Sequence, residues 1–174
     1  MPSVDRLIVR PAVLSDVDVL VKFNAALALE TEGRRLDPER LRQGALAVFE
    51  SPARGRYLVA EVPSEPVSVV VGQLLVTFEW SDWRNATFWW LQSVYVDPPW
   101  RRRGVFRRMH EAILGMARAQ GDVCGIRLYV EKENEIAQRA YQRLGLVSAG
   151  YLVFEEDFVM NHQQGEHLRR EGGH

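Results

Sequence analysis

Apolar and polar positions alternate with two different periods along this chain. Leu7-Ile8-Val9 is a short apolar run closed by Pro11, which predicts a first strand. Val17, Leu20, Val21, Asn24 and Leu27 then follow helical spacing and predict a helix over 16–30, opened by a capping box of Ser15 and Asp18. After Gly33, Asp37-Pro38 supplies an N-cap and a proline at the first helical position. Leu41, Ala45, Val48 and Phe49 give this second helix its apolar stripe, and Ser51-Pro52 stops it. From there the period is two. Strands are predicted over 57–62, 67–80 and 88–96, joined by turns at 63–66 and 82–85, as an antiparallel meander. Leu74, Val76, Phe78 and Trp80 share one face of the long strand; Gln73, Leu75, Thr77 and Glu79 share the other. The 88–96 strand is apolar on both faces, as a central strand would be.

Beyond Pro98 the order becomes helix, strand, helix, strand. Val105, Phe106, Met109, Ile113, Met116 and Ala117 line one side of a helix that Gly121 ends. A strand follows over 126–131. Asn134 caps a short helix with Ile136, Ala137, Ala140, Tyr141 and Leu144 facing inward, closed by Gly145. A last strand is predicted at 151–154. The layout is α/β with a mixed sheet, a single domain over residues 1–160 followed by a polar, disordered tail over 161–174.

Composition narrows the function classes. Of 174 residues, 47% are hydrophobic and 26% charged, as in ordinary globular domains. A net charge of -1 gives no global field for nucleic acid or an anionic membrane. The lone Cys124 rules out an internal disulfide framework. The opening MPSVDRLIVRP is too polar for a signal peptide, and no apolar run nears the roughly 20 residues a bilayer span needs. A cytoplasmic protein without membrane or nucleic-acid partners is expected. His110, His162, His167 and His174 lack metal-ligand spacing, so no metal is expected.

The candidate chemistry lies between Leu91 and Met109. Val94-Tyr95-Val96 ends a strand, Asp97-Pro98-Pro99 breaks it, and Arg101-Arg102-Arg103-Gly104 leads into a helix with Arg107-Arg108 in its first turn. A helix N-terminus carries outward N–H groups and partial positive charge, and Gly104 lets an anion approach the backbone. This arrangement suits a phosphate.

Val94-x-Val96-x-Pro98 and Arg101-x-x-Gly104-x-Phe106 together resemble the acyl-CoA signature of the Gcn5-related N-acetyltransferases (GNAT). Asn134-x-x-Ala137-x-x-x-Tyr141-x-x-x-Gly145-Leu146 resembles a later motif of the same family, one helix and one strand downstream. Phe106 departs from the usual Gly or Ala, and Leu146 from Phe. The resemblance implies a GNAT-like fold: a mostly antiparallel sheet of about six to seven strands, about four helices, and splayed fourth and fifth strands. It implies acetyl-CoA as co-substrate, bound by Val94, Tyr95, Val96, Arg101, Arg102, Arg103, Gly104, Val105, Phe106, Asn134 and Tyr141. Backbone groups of Val94 and Val96 would pair with the pantetheine arm. The Val96 N–H would polarise the thioester carbonyl. Tyr141 would protonate the leaving thiolate as general acid.

Glu79, on the polar face of its strand, is the candidate general base, with Glu30 and Glu32 as alternatives. Four of five tryptophans lie between positions 80 and 90. Trp80, Trp83 and Trp89 with Glu30, Glu32 and Ser93 are the candidate acceptor site, in which aromatic faces and carboxylates would hold a small cationic amine. The expected activity is acetyl transfer to a primary amine of a small molecule. The alternatives are a catalytically silent acyl-CoA sensor and a protein N-acetyltransferase. The family resemblance adds a homodimer as an expectation.

Overall fold

The long period-two stretch becomes the middle of a five-stranded sheet. The structure, a computed structural model, describes residues 4–160. In chain order its elements are β1 (Ile8–Pro11), α1 (Val17–Glu32), α2 (Pro38–Glu50), β2 (Arg56–Val62), β3 (Val69–Ser81), β4 (Ala86–Val96), α3 (Val105–Gln120), β5 (Val123–Leu128) and α4 (Glu135–Arg143). The chain parts into two compact units between Asn134 and Glu135. The first carries the whole sheet; the second carries α4. The strands lie in the order β1-β2-β3-β4-β5, with three antiparallel pairings and a parallel β4–β5 pair. The meander is as expected; β4 is flanked by a strand on each side, but the middle strand of the sheet is β3.

Four expectations are corrected. The sheet has five strands among the described residues, not six or seven: residues 151–154 form no ladder and their side chains are strongly exposed. β5 starts three residues before the apolar alternation suggests, because its register is set by β4. Val123 pairs with Thr87, and Gly125 lies under the Phe88 ring, where a Cβ would sit 2.7 Å from the ring edge. The N-terminus of α1 is not a Ser15 capping box. Asp16 accepts from the Val13 N–H at 2.8 Å and holds Arg10 at 2.7 Å, while Arg10 also pairs with Glu61 on β2. In α4, Ile136 faces solvent rather than inward. The tail expectation for 161–174 lies outside the described residues.

Alternation along β2 splits the core. Leu58, Ala60 and Val62 join Leu74, Val76, Trp89 and Leu91 against the α3 stripe of Val105, Met109, Ile113 and Ala117. Tyr57 and Val59 face the other way, onto Val17, Leu20 and Ala45 of α1 and α2. The Asp37 cap of α2 forms as expected, its carboxylate accepting from Arg40 N–H at 2.8 Å. No described helix is long and apolar enough to cross a membrane. Among the described residues no cluster of three His, Cys, Asp or Glu side chains could hold a metal ion.

His110 is buried on α3 beside Phe106. Burial pushes its pKa below the ordinary 6.5, with Glu111 opposing. The folded state therefore keeps the ring neutral, and the unfolded chain takes up the proton first as pH falls. The stability this gives is present above pH 6.5 and is lost as pH falls toward the folded pKa. Thermal melts should show Tm falling below that pH in the parent protein, and a shallower fall in His110→Leu. An unchanged slope would show that His110 is not the group titrating.

Candidate functional site

β4 is paired on both edges for only part of its length. On one side it runs against β3 as far as Gly72↔Val96. On the other, its pairing with β5 ends at Leu91↔Leu128. From Gln92 to Val96 no described strand covers that edge. Five residues at about 3.3 Å each leave roughly 16 Å of open edge. The orientation of its peptide groups follows from one bond: Asp97 N–H donates to Val71 O at 2.9 Å, toward β3. Strand alternation then turns Tyr95 toward β3 and aims the N–H and C=O of Val96 and the C=O of Val94 at the open edge. The expected splay of the fourth and fifth strands is thus present in the ladder itself.

The strand also carries a bulge. Gln73 pairs with Tyr95 but Leu75 pairs with Gln92, so Ser93 and Val94 together oppose Leu74. Ser93 has φ 49°, uncommon for a residue with a side chain. The bulge resets the facing of the strand: Gln92 and Tyr95, three apart, both lie on the α1 side. Gln92 reaches Thr77 at 2.6 Å, while Tyr95 packs on Phe23 with ring centroids 5.1 Å apart.

A short 3-10 turn at Pro98–Trp100 buries Trp100, and the chain then crosses the arginines to α3. Arg102 has φ 59° and Gly104 φ 82°. A Cβ on Gly104 would meet only the Arg107 side chain, at 3.6 Å, so the glycine is needed for its backbone angle rather than for room. The first helical bond runs from Arg108 N–H to Gly104 O at 3.1 Å. The N–H groups of Val105, Phe106 and Arg107 therefore lie outside the helical ladder and point off its end. Phe106 is half-buried and turned to His110. The arginines are not equivalent. Arg103 lies over the Trp100 ring at 5.5 Å. Arg101 donates to Val96 O at 2.8 Å and to Glu30 Oε2 at 2.6 Å. Glu30 Oε1 in turn accepts from the Tyr95 hydroxyl at 2.8 Å. Burial, and then the Glu30 carboxylate, push the Tyr95 phenol up to about 12. The end of α1 is thereby tied to the end of β4 and to the basic turn. Glu32 pairs loosely with Arg34 at 3.6 Å.

The tryptophans separate. Trp89 is fully buried against Phe78 and beneath Arg56, so it belongs to the core and not to an acceptor wall. Trp80 and Trp83 are exposed at the β3–β4 hairpin, Trp83 at 87%. Trp90 points to the α1 side of the sheet and stacks on Tyr129 at 4.3 Å. Its indole N–H donates to Glu79, whose other oxygen holds Arg127 at 2.8 Å. Arg127 lies 3.7 Å from the Phe88 ring centroid. Sequence reasoning missed Trp90, Tyr129 and Arg127 because their partners are on different strands. It also missed a buried polar chain beneath the bulge: Gln73, Asn24 and Tyr57. The signal was there, since Gln73 interrupts an apolar strand and Asn24 an apolar helical stripe.

In the second unit, Tyr141 sits in the last full turn of α4, its carbonyl accepting from the Leu144 and Leu146 N–H groups. Burial pushes its phenol above the ordinary 10, so it is protonated at neutral pH. Asn134 precedes α4, its N–H donating to Glu131 O at 3.0 Å.

Glu30→Gln removes the carboxylate from Tyr95 and leaves the burial. The Tyr95 pKa should fall from about 12 toward 10 while staying above it. Ultraviolet phenolate titration, with Tyr95→Phe as the blank, measures this; an unmoved transition would show that Glu30 does not contact the phenol. Because Glu30 and Arg101 are both 41% exposed, the lost ion pair should cost below about 1 kcal/mol by urea unfolding.

The family model described as "Acetyltransferase (GNAT) family" matches residues 23–146. A crystal structure of a possible acetyltransferase from Clostridium difficile 630 is 39% identical, with TM-score 0.79, over 88% of this chain and 99% of that one. Two more distant structures share the fold. One is AAC(6')-Iy in complex with the bisubstrate analog CoA-S-monomethyl-acetylneamine (14% identity, TM-score 0.67, 87% of this chain and 97% of that one). The other is a predicted acetyltransferase with acetyl-CoA from Clostridium acetobutylicum (13%, TM-score 0.68, 90% of this chain and 99% of that one). No curated protein sequence matches the chain. With the open β4 edge, the Gly104 helix terminus and a family match spanning most of its length, the chain belongs to the GNAT acetyltransferase family.

Proposed function

We propose that this protein transfers the acetyl group of acetyl-CoA to a primary amine of a small molecule. The observation that carries the reading is the run of uncovered β4 edge from Gln92 to Val96, which leads directly to the N-terminus of α3. An extended pantetheine arm, with its amide groups, can pair along that edge as a strand would. The pyrophosphate then meets the N–H groups of Val105, Phe106 and Arg107, with Arg101, Arg102 and Arg103 near. The carbonyl of the thioester lies against a backbone N–H of the Val94–Val96 segment. Residues 1–160 work as one acetyltransferase domain in this reading, since the family match crosses the division at Asn134. A cytoplasmic homodimer, with its supply of acetyl-CoA, completes the proposal.

The chemistry is a direct displacement. A neutral amine nitrogen forms a bond to the thioester carbon, the negative oxygen is held by a backbone N–H, and the C–S bond breaks; the thiolate takes the Tyr141 hydroxyl proton, and the acylated nitrogen gives its surplus proton to the tyrosinate, leaving a neutral amide and a thiol. Glu79 does not suit the base in this reading. It stands opposite Phe88, six positions before Val94, which is about 16–20 Å along the strand, and both its oxygens are engaged. Glu30 suits it better: it is bonded to Tyr95, beside Val94 and Val96, and can exchange Arg101 for the ammonium whose proton it takes. Glu79, Trp90 and Tyr129 then line the outer part of an aromatic, acidic acceptor surface, with Trp80 and Trp83 beyond.

Titration calorimetry with acetyl-CoA, followed by thiol release over an amine panel, tests the reading. No acetyl-CoA binding would overturn it, and binding without turnover of any amine would favour the silent sensor. Gly104→Asp and Gly104→Asn place nearly the same side chain at the same left-handed position. The aspartate should bind acetyl-CoA roughly tenfold more weakly than the asparagine at equal Tm; equal affinities would argue against a phosphate there. Tyr141→Phe should slow transfer about a hundredfold with little change in acetyl-CoA affinity. A variant with full kcat would remove Tyr141 from the role of acid.

A further inference from the structure

The bulge in β4 rests on a polar chain that the acetyl-transfer reading does not use. Gln73 is fully buried on β3. Its Nε2 donates to Asn24 Oδ1 on α1 at 2.7 Å and, with a longer reach of 3.4 Å, to Ser93 O at the bulge. Asn24 Nδ2 donates to the Tyr57 hydroxyl on β2 at 3.2 Å. A chain of three side chains from β2, α1 and β3 thus ends on one backbone carbonyl. Gln73 Oε1 is buried without a hydrogen-bond partner. An amide with an unmet acceptor in an apolar strand opposes stability, since leucine or methionine would fill the same space without that cost. Burial, the orphan oxygen and the positive φ of Ser93 all fall at one place on the strand. Such clustering of unfavourable local features points to function.

The geometry of the peptide bond says what the chain does. In a trans peptide the C=O and the N–H point in opposite directions. Ser93 O is held on the Gln73 side, so the N–H of the same peptide, that of Val94, is turned the other way. That direction is away from β3 and onto the edge that β5 leaves uncovered. Without Gln73, a bulged residue with positive φ has no fixed peptide plane, because the extra residue drops out of the ladder. Val96 differs: its carbonyl is occupied by Arg101, and its orientation is secured by the neighbouring Asp97–Val71 bond.

We infer that Gln73 is a positioning residue for acetyl transfer, which, through Ser93 O and backed by Asn24, fixes the Val94 N–H as the donor to the thioester carbonyl oxygen. This rests on the acetyl-CoA reading above. It places the polarising donor at Val94 rather than at Val96, and makes a residue that touches no substrate necessary for the chemical step. As the thioester carbon becomes tetrahedral, negative charge grows on its oxygen. A donor already aimed there needs no reorganisation.

Isotope-edited infrared spectroscopy of acetyl-CoA carrying a 13C-labelled thioester carbonyl tests this without knowledge of the amine. Bound to the parent protein, the carbonyl band should lie at lower wavenumber than in water. In Gln73→Met the shift should be largely lost while calorimetry shows acetyl-CoA affinity little changed. Thiol release should fall roughly tenfold or more in kcat with KM for acetyl-CoA unchanged. If Gln73→Met fails to fold, a second pair carries the test. Asn24→Asp keeps the acceptor for Gln73 Nε2 and should retain the shift; Asn24→Leu removes it and should lose part of the shift. A full band shift in Gln73→Met, or in Asn24→Leu, would overturn the inference and leave the acetyltransferase reading standing. A parent protein that binds acetyl-CoA with an unshifted carbonyl would also overturn it. A parent protein that does not bind acetyl-CoA at all would overturn both.

Discussion

β4 has a partner on each edge only as far as Leu91, and the rest of the site depends on that limit. A parallel pair needs a crossover helix between its strands, and α3 supplies it by packing Val105, Met109, Ile113 and Ala117 on the sheet. The crossover places the N-terminus of α3 just past the end of β4, where the β5 ladder has already stopped. One topological fact therefore puts an unpaired strand edge and an anion-attracting helix end in line. Had β5 stayed paired to Val96, the same residues would form an ordinary closed sheet.

The second constraint is how the open edge is kept ordered. A strand segment bonded on one side only is prone to fray, and this one also carries a bulge. Two polar anchors hold it from the α1 side. Gln73 and Asn24 secure the Ser93 peptide, and Glu30 with Arg101 secures Tyr95 and the Val96 carbonyl. Both anchors reach α1, so the placement of that helix bears on the geometry of the open edge. The α1 position is itself fixed at its start by Asp16, which joins Arg10 of β1 to the Val13 turn. Stability and site geometry share the same few polar groups, most of them half-buried.

Much of this was legible in one dimension because it is governed by local rules. The Asp37-Pro38 helix start, the stripe of α3, the glycines at 104 and 121, and the antiparallel meander all follow from spacing and from intrinsic backbone preferences. The two motifs pointed to the family because a strand end, a glycine turn and a helix start are local features, which a short sequence pattern encodes. Tryptophan-rich composition from 80 to 90 suggests an acceptor wall, but composition does not say which way a ring faces. Trp89 went to the core, Trp90 to the α1 side, and Trp80 and Trp83 to the hairpin surface.

The sequence by itself determined the order of the elements from β1 to α4, the family and the glycine turn into α3, since each depends on residues within a few positions of one another. The tertiary structure alone decided the register. The β3–β4 bulge breaks the period of two, so parity along the strand no longer predicts facing past Ser93. It alone decided the partners of the charges as well: Arg101 with Glu30 across 71 positions, Arg127 with Glu79 across 48, and Gln73 with Asn24 across 49. Those pairings arise where separate elements meet. No local pattern encodes them, because the apolar faces that bring the elements together fix the distances between polar groups only after the core has packed.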